Sequence, residues 1–265
     1  MRRLGSVLSE RHLSFSRSVR WGLFLVLVVS PVGCMRNIRS VSPPRIQKDA
    51  SLEELLALYE LRYRALTSVK ALVKVQLDSP SLGSHGFQAA LLLLRPQTFQ
   101  LTGFDPFGGT LFDLVSRGGE RRLIVSGRDQ SSRWGELINL GGPIEPGFFD
   151  FLGIPRVDPP ELAVLEKGQD AFNLLVVRPG PAGSARLRKK YLIEREEFRA
   201  VQTTYYTEAG FPETTLFFSD FRRVNGFWLP FMISGQSRLG RAEFAFTEIK
   251  TNPEGARRSD AATGD

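Results

Sequence analysis

From Val69 to Asn252 the chain is written in short runs of period two, and this alternation restricts its fold more than any other feature. Val69, Ala71, Val73, Val75 and Leu77 alternate with Lys70, Leu72, Lys74, Gln76 and Asp78, as in a strand with one buried face and one wet face. Further runs follow, among them F-Q-A-A-L-L-L-L-R, T-L-F-D-L-V-S, F-N-L-L-V-V-R, L-R-K-K-Y-L-I-E and R-A-E-F-A-F-T-E-I-K, separated by turns of Gly, Pro and Asp. They amount to about eleven strands at the spacing of all-β folds, and a long antiparallel meander joins them most simply. The chain holds 20 Phe, spread through these runs, so its interior is large and apolar.

Helical spacing is confined to two places. Ser51 and Glu54 form a capping box ahead of Leu52, Leu55, Leu56, Tyr59, Tyr63 and Leu66, with Leu58 and Leu61 widening the stripe, so a broad apolar helix face meets the sheet. Between Trp134 and Lys167 two short helices are expected, near Glu145 to Leu152 and near Pro160 to Glu166, acting as plugs. Gly153 sits just past the first, and Pro155 stops its continuation.

The amino terminus carries a different message. Arg2, Arg3, Arg11, Arg17 and Arg20 precede the apolar run Trp21 to Val29, which ends at Pro31 and Gly33: the outline of a secretory signal, too short to span a membrane. Cys34, the one cysteine, stands where the lipidated residue of the bacterial lipobox stands, after a small residue; Pro31 departs from the usual Leu of that pattern. The resemblance implies a covalent lipid on Cys34 and no other cofactor. A plain secretory signal followed by a free thiol is the alternative. The expected division is a signal at 1–33, a tether at 34–50, a folded domain at 51–252 and a disordered tail at 253–265. Of the net charge of +7, the leader supplies +4, so the basic balance belongs largely to export and gives no nucleic-acid signature.

From Ser51 to Asn252 the order of one helix, meandering strands, a central helical insert and more strands resembles the LolA/LolB-like superfamily of periplasmic lipoprotein carriers and receptors. The carboxy-terminal segments Y-L-I-E-R-E-E-F-R-A-V-Q-T-T-Y-Y, F-S-D-F-R-R-V-N-G-F-W-L-P and I-K-T-N-P carry most of the likeness. The resemblance implies a mainly β fold: a curved, incompletely closed antiparallel half-barrel whose concave face is covered by the amino-terminal helix and the short central helices. Alternation points Val73, Val75, Leu77, Leu91, Leu93, Leu187, Tyr191, Ile193, Phe231, Ile233, Phe244 and Phe246 inward, as a hydrophobic ligand cavity or as ordinary core. The loop F-D-P-F-G-G-T resembles the receptor-type hairpin loop that offers an apolar residue to a membrane, with Phe107 in the leucine's place; Phe104 and Phe107 either project or fold back on the sheet.

Together these features imply an outer-membrane, lipid-anchored protein facing the periplasm, since Met35 after the cysteine is not the retaining aspartate of related bacteria. It would bind lipoprotein acyl chains or other lipid, exchange them with a periplasmic carrier protein, and receive or insert lipoproteins. The rival reading is a structural or signalling lipoprotein that uses the fold to bind a protein partner. No catalytic or metal site is expected. His85 is placed in a turn, no G-x-S-x-G elbow occurs, and the Gly pairs lack the context of a phosphate loop. The basic cluster Arg186 to Lys190 reads as a solvated strand face or a contact for anionic lipid.

Overall fold

The computed structural model describes residues 47–80, 83–96, 98–118, 120–125, 128–129 and 150–253. Cys34 with its export segment, the segment 130–149 (including most of the first expected central helix) and residues 254–265 lie outside the described residues.

The alternating runs form the strands β1 (Ser68–Ser79), β2 (Gly83–Leu94), β3 (Thr98–Phe104), β4 (Thr110–Arg117), β5 (Glu120–Val125), β6 (Arg128–Asp129), β7 (Leu162–Lys167), β8 (Ala171–Pro179), β9 (Ala185–Glu194), β10 (Ala200–Tyr206), β11 (Pro212–Val224), β12 (Phe227–Ser237) and β13 (Gly240–Thr251). They make one sheet of 13 strands among the described residues, in the order β6-β5-β4-β3-β2-β1-β13-β12-β11-β10-β9-β8-β7. Two antiparallel meanders, β1 to β6 and β7 to β13, are therefore sewn together where the first strand pairs with the last, from Val69 opposite Thr251 to Asp78 opposite Arg241. The sheet does not close, as a half-barrel requires: β6 and β7 are its two margins.

Two departures from the sequence reading concern β6 and β7. The pair Arg128–Asp129 is too short to show a period. Pro160 to Glu166 was expected to be helical, and it is the start of β7, paired from Leu162 opposite Val177 to Lys167 opposite Phe172. Its apolar residues are consecutive because it is a margin strand with little to cover on its outer side: Leu162 and Val164 are exposed, Ala163 and Leu165 half-buried. Short apolar runs do not distinguish helix from strand by period alone. The three-residue 3-10 turn Asp150–Leu152 is the described remnant of the first expected central helix, and Gly153 follows it with φ +67, as expected of a residue ending a helical turn.

Helix α1 (Leu52–Ala65) begins with the expected capping box: Glu54 N donates to Ser51 Oγ at 3.2 Å, and Ser51 N donates to the Glu54 carboxylate at 2.7 Å. Leu55, Tyr59 and Leu66 are buried, but Leu61 is 67 % exposed and lies outside the stripe. The helix end is fastened by Asn252, whose side chain donates to Ala65 O (2.8 Å) and accepts from Thr67 N (2.8 Å) and Ser68 N (3.2 Å). Arg95 adds a bond to Tyr63 O at 2.9 Å. Carbonyls that a helix end leaves unpaired are thus met by side chains from the residue after β13 and from the turn after β2.

The inner face of the sheet carries two apolar clusters. Beneath α1, Leu55 and Tyr59 pack on Phe172, Leu174 and Val176 of β8 and Tyr191 and Ile193 of β9. The other cluster joins β1, β2 and β3 to β11, β12 and β13, with Phe151, Leu152 and Ile154 laid across it. β6 and β7 are opposite margins, and the described part of the chain between them, from Asp150 on, lies over this second cluster.

Candidate functional site

The inward set divides between the two clusters. Val73, Val75, Leu91, Leu93, Phe231, Ile233 and Phe246 lie buried together, with Leu77 and Phe244 packed against them, while Tyr191 and Ile193 belong to the cluster under α1. Leu187 is half-buried at the outer end of β9, beyond both clusters. A ring occupies the middle of the larger group: Phe151 meets Phe244 edge-to-face at 5.1 Å, Phe99 at 6.0 Å and Phe246 at 6.5 Å between centroids. Among the described residues, then, the apolar face is covered by side chains of the crossing segment.

That segment is pinned by a polar device with no counterpart in the sequence reading. Asp150 is 1 % exposed, and its carboxylate accepts from Tyr191 OH at 2.5 Å and from Lys189 Nζ at 2.8 Å. Burial works to lower the pKa of Lys189, but the adjacent carboxylate more than offsets this and holds it above the ordinary lysine value. Burial, and then the same negative charge, push Tyr191 and Tyr205 well above the usual phenol range. Tyr205 OH feels that charge without meeting hydrogen-bond geometry, and the hydroxyls of Thr203 and Thr214 on the same face are likewise unpaired among the described residues. A sequence signal existed. Lys189 shares the parity of Leu187, Tyr191 and Ile193, so in a strand it points inward, where an ammonium needs a buried acid. The neighbouring Arg186 and Arg188 do face outward, sharing Glu208 at 2.7 and 2.6 Å.

At one end of the sheet the loop between β3 and β4 projects Phe107, which is 97 % exposed. Its posture is fixed by Asp105, whose carboxylate accepts from Phe107 N and Gly109 N, both at 2.8 Å, while Gly108 N donates to Asp105 O at 3.0 Å. Gly108 takes φ +85 and so favours glycine, and a Cβ at Gly109 would lie 2.6 Å from Asp105 Oδ2 and displace that carboxylate. Phe107 does not fold back on the sheet; Phe104, the last residue of β3, is half-buried between Gln88 and Thr110. His85 is a strand residue, exposed on β2 opposite Leu77, and not a turn residue.

No family model matches the sequence, and no curated protein is similar to it. Solved structures are similar in fold. A domain described as an outer membrane lipoprotein-sorting protein from Vibrio parahaemolyticus superposes with a TM-score of 0.52 at 16 % identity, covering 76 % of this chain and 92 % of that one. A LolA superfamily protein from Nitrosomonas europaea gives 0.51 at 12 % identity, over 77 % and 95 %. A DUF1329 family protein from Desulfovibrio piger gives 0.51 at 12 % identity, over 75 % and 93 %. At such identities the likeness is one of architecture: an unclosed antiparallel sheet with a helix across its inner face, which is the LolA-like fold.

Proposed function

We propose that the protein is a lipoprotein of the bacterial envelope, tethered through lipidated Cys34, that binds acyl chains non-covalently on its inner face and receives or inserts lipoproteins at the outer membrane. It catalyses no reaction in this reading. The observation that carries it is Phe107, held almost fully in water by a loop that the Asp105 carboxylate fixes. Burying such a ring in lipid gains about 1.5–3 kcal/mol, too little to anchor a protein but enough to orient one already tethered. The similarity in fold to the Vibrio parahaemolyticus lipoprotein-sorting domain supports the same direction.

Acyl binding on the larger cluster requires Phe151 and Leu152 to move aside, because they fill that face among the described residues. The same packing favours the second reading, a scaffold that binds a protein partner and no lipid. Native mass spectrometry of the purified protein separates the two: a carrier retains lipid, a scaffold does not. For the loop, Phe107→Glu is expected to slow delivery of an acylated lipoprotein to vesicles by about tenfold or more, with the melting temperature unchanged. Delivery at the unmodified rate would refute the membrane role of Phe107.

A further inference from the structure

At the end of the sheet formed by the β9–β10 and β11–β12 turns, away from the Phe107 loop, a cleft of about 60 Å³ is lined by Arg62, Arg199, Phe221, Phe227, Trp228 and Ile154. Arg199 is stacked on two rings, its guanidinium carbon 4.8 Å from the Phe221 centroid and 5.1 Å from that of Trp228. Its Nε donates to Glu194 Oε1 at 2.8 Å, and its two terminal nitrogens have no hydrogen-bond partner among the described residues. Arg62 reaches the same cleft from the last turn of α1. Its terminal nitrogens donate to Phe198 O (2.8 Å) and Glu197 O (3.0 Å), so its direct hydrogen bonds go to neutral carbonyls, while the Glu197 and Glu194 carboxylates act on it as neighbouring charges. Burial lowers its pKa from the usual guanidinium value, with the positive charge of Arg199 adding to this and Tyr59, Glu197 and Glu194 opposing it.

Two guanidiniums facing one small cavity, one of them with its forked donors unused, form an arrangement that a tetrahedral anion completes. The cavity holds roughly four times the ~15 Å³ that one water needs, which is the scale of a phosphate group. Its apolar wall is continuous with the larger core cluster, to which Ile154 belongs and against which Phe221 and Phe227 pack. We propose that this cleft is a phosphate-binding site, taking the phosphate of a lipid headgroup or inorganic phosphate itself. The site stands on Arg199, Arg62 and Trp228 and does not depend on acyl binding elsewhere.

The test uses inorganic phosphate and short-chain dihexanoyl phosphatidic acid as probes at low ionic strength, where screening is weak. Phosphorus NMR line broadening reports binding, and the Trp228 indole proton shift reports its place. Saturable binding that moves Trp228 and weakens at least tenfold in Arg199→Gln is expected. Should that variant melt earlier, Arg199→Lys, which keeps the charge and loses the fork, has to fall between the two. A headgroup source is shown by the lipid binding at least tenfold tighter than phosphate, a free-phosphate source by equal affinity. The proposal is overturned if neither probe saturates, if Arg199→Gln binds as the parent does, if Trp228 does not respond, or if acetate displaces phosphate at equal concentration.

Discussion

The two halves of the inner face are covered in different ways. Over β8 and β9 lies α1, a helix of 14 residues with a capping box at one end and Asn252, Arg95 and Arg62 fastening the other. Over β1, β2, β12 and β13 lies a segment with one three-residue 3-10 turn, held by its own rings, by the carboxylate of Asp150 and by Arg156, which donates to Tyr63 OH and stacks on that ring. The first cover is built to stay, because its many bonds are spread along the helix and at both ends. The second depends on one buried charge pair, one ring cluster and the tie from Arg156 to Tyr63, so it is the cover that the proposed acyl binding would displace. A single sheet can therefore offer a permanent core and an exchangeable one side by side.

The largest effect is expected from cutting the pin. Asp150→Asn leaves the Lys189 ammonium, 17 % exposed, without its partner and is expected to cost about 3–5 kcal/mol of stability, measured by urea unfolding. Asp150→Leu combined with Lys189→Met is expected to return most of that loss, since an apolar pair needs no desolvation of charge. The same cluster sets an alkaline limit. Lys189 is raised above 10.5, and Tyr191 and Tyr205 above 10.0, so folding favours the protonated form of each. Their contributions are complete below the ordinary values of 10.0 and 10.5 and are lost as pH rises beyond them. Urea midpoints that hold level from neutral pH to about pH 11 would contradict the sign of all three shifts.

A pair of core truncations sharpens the contrast between covers. Phe151→Ala and Leu55→Ala each remove a buried side chain and are expected to cost about 3 kcal/mol. Their effect on lipid differs. Phe151→Ala opens the face that carries Val73, Leu91, Phe231 and Phe246 and is expected to bind a fluorescent fatty-acid probe several-fold more tightly. Leu55→Ala loosens the permanent side and is expected to leave probe affinity unchanged. Equal affinities in the two variants would mean that the covers do not differ in function.

How far the sequence revealed this follows from range. The start of α1 was readable because a capping box is local, and β1 was readable because its burial alternates without a break from Val69 to Val75. The margin strand β7 was not, since six residues preceded by Pro159 and Pro160 satisfy helix and strand alike. Leu61 misled for a related reason: helical spacing gives a direction but not the width of what the helix packs on. Lys189 and Asp150 are 39 positions apart, and only the tertiary fold brings them together. The Arg62–Arg199 cleft is likewise made by a helix end and a hairpin turn that no spacing connects. By contrast, the Asp105 to Gly109 loop is local, so its turn was readable from Pro106, Gly108 and Gly109, while the projection of Phe107 was left open by the sequence and decided by the structure.

The smallest effect separates local hold from tertiary hold on the permanent cover. Ser51→Ala removes the acceptor for Glu54 N and is expected to cost about 1 kcal/mol, as N-cap losses do. It leaves the contacts of Leu55 and Tyr59 and the Asn252 fastening untouched, so probe affinity should not change. A loss well above 2 kcal/mol would mean that the cap governs how the whole helix seats on β8 and β9. In that case α1 would resemble the Asp150 segment in resting on few contacts, and the distinction between a permanent and an exchangeable cover would have to be given up.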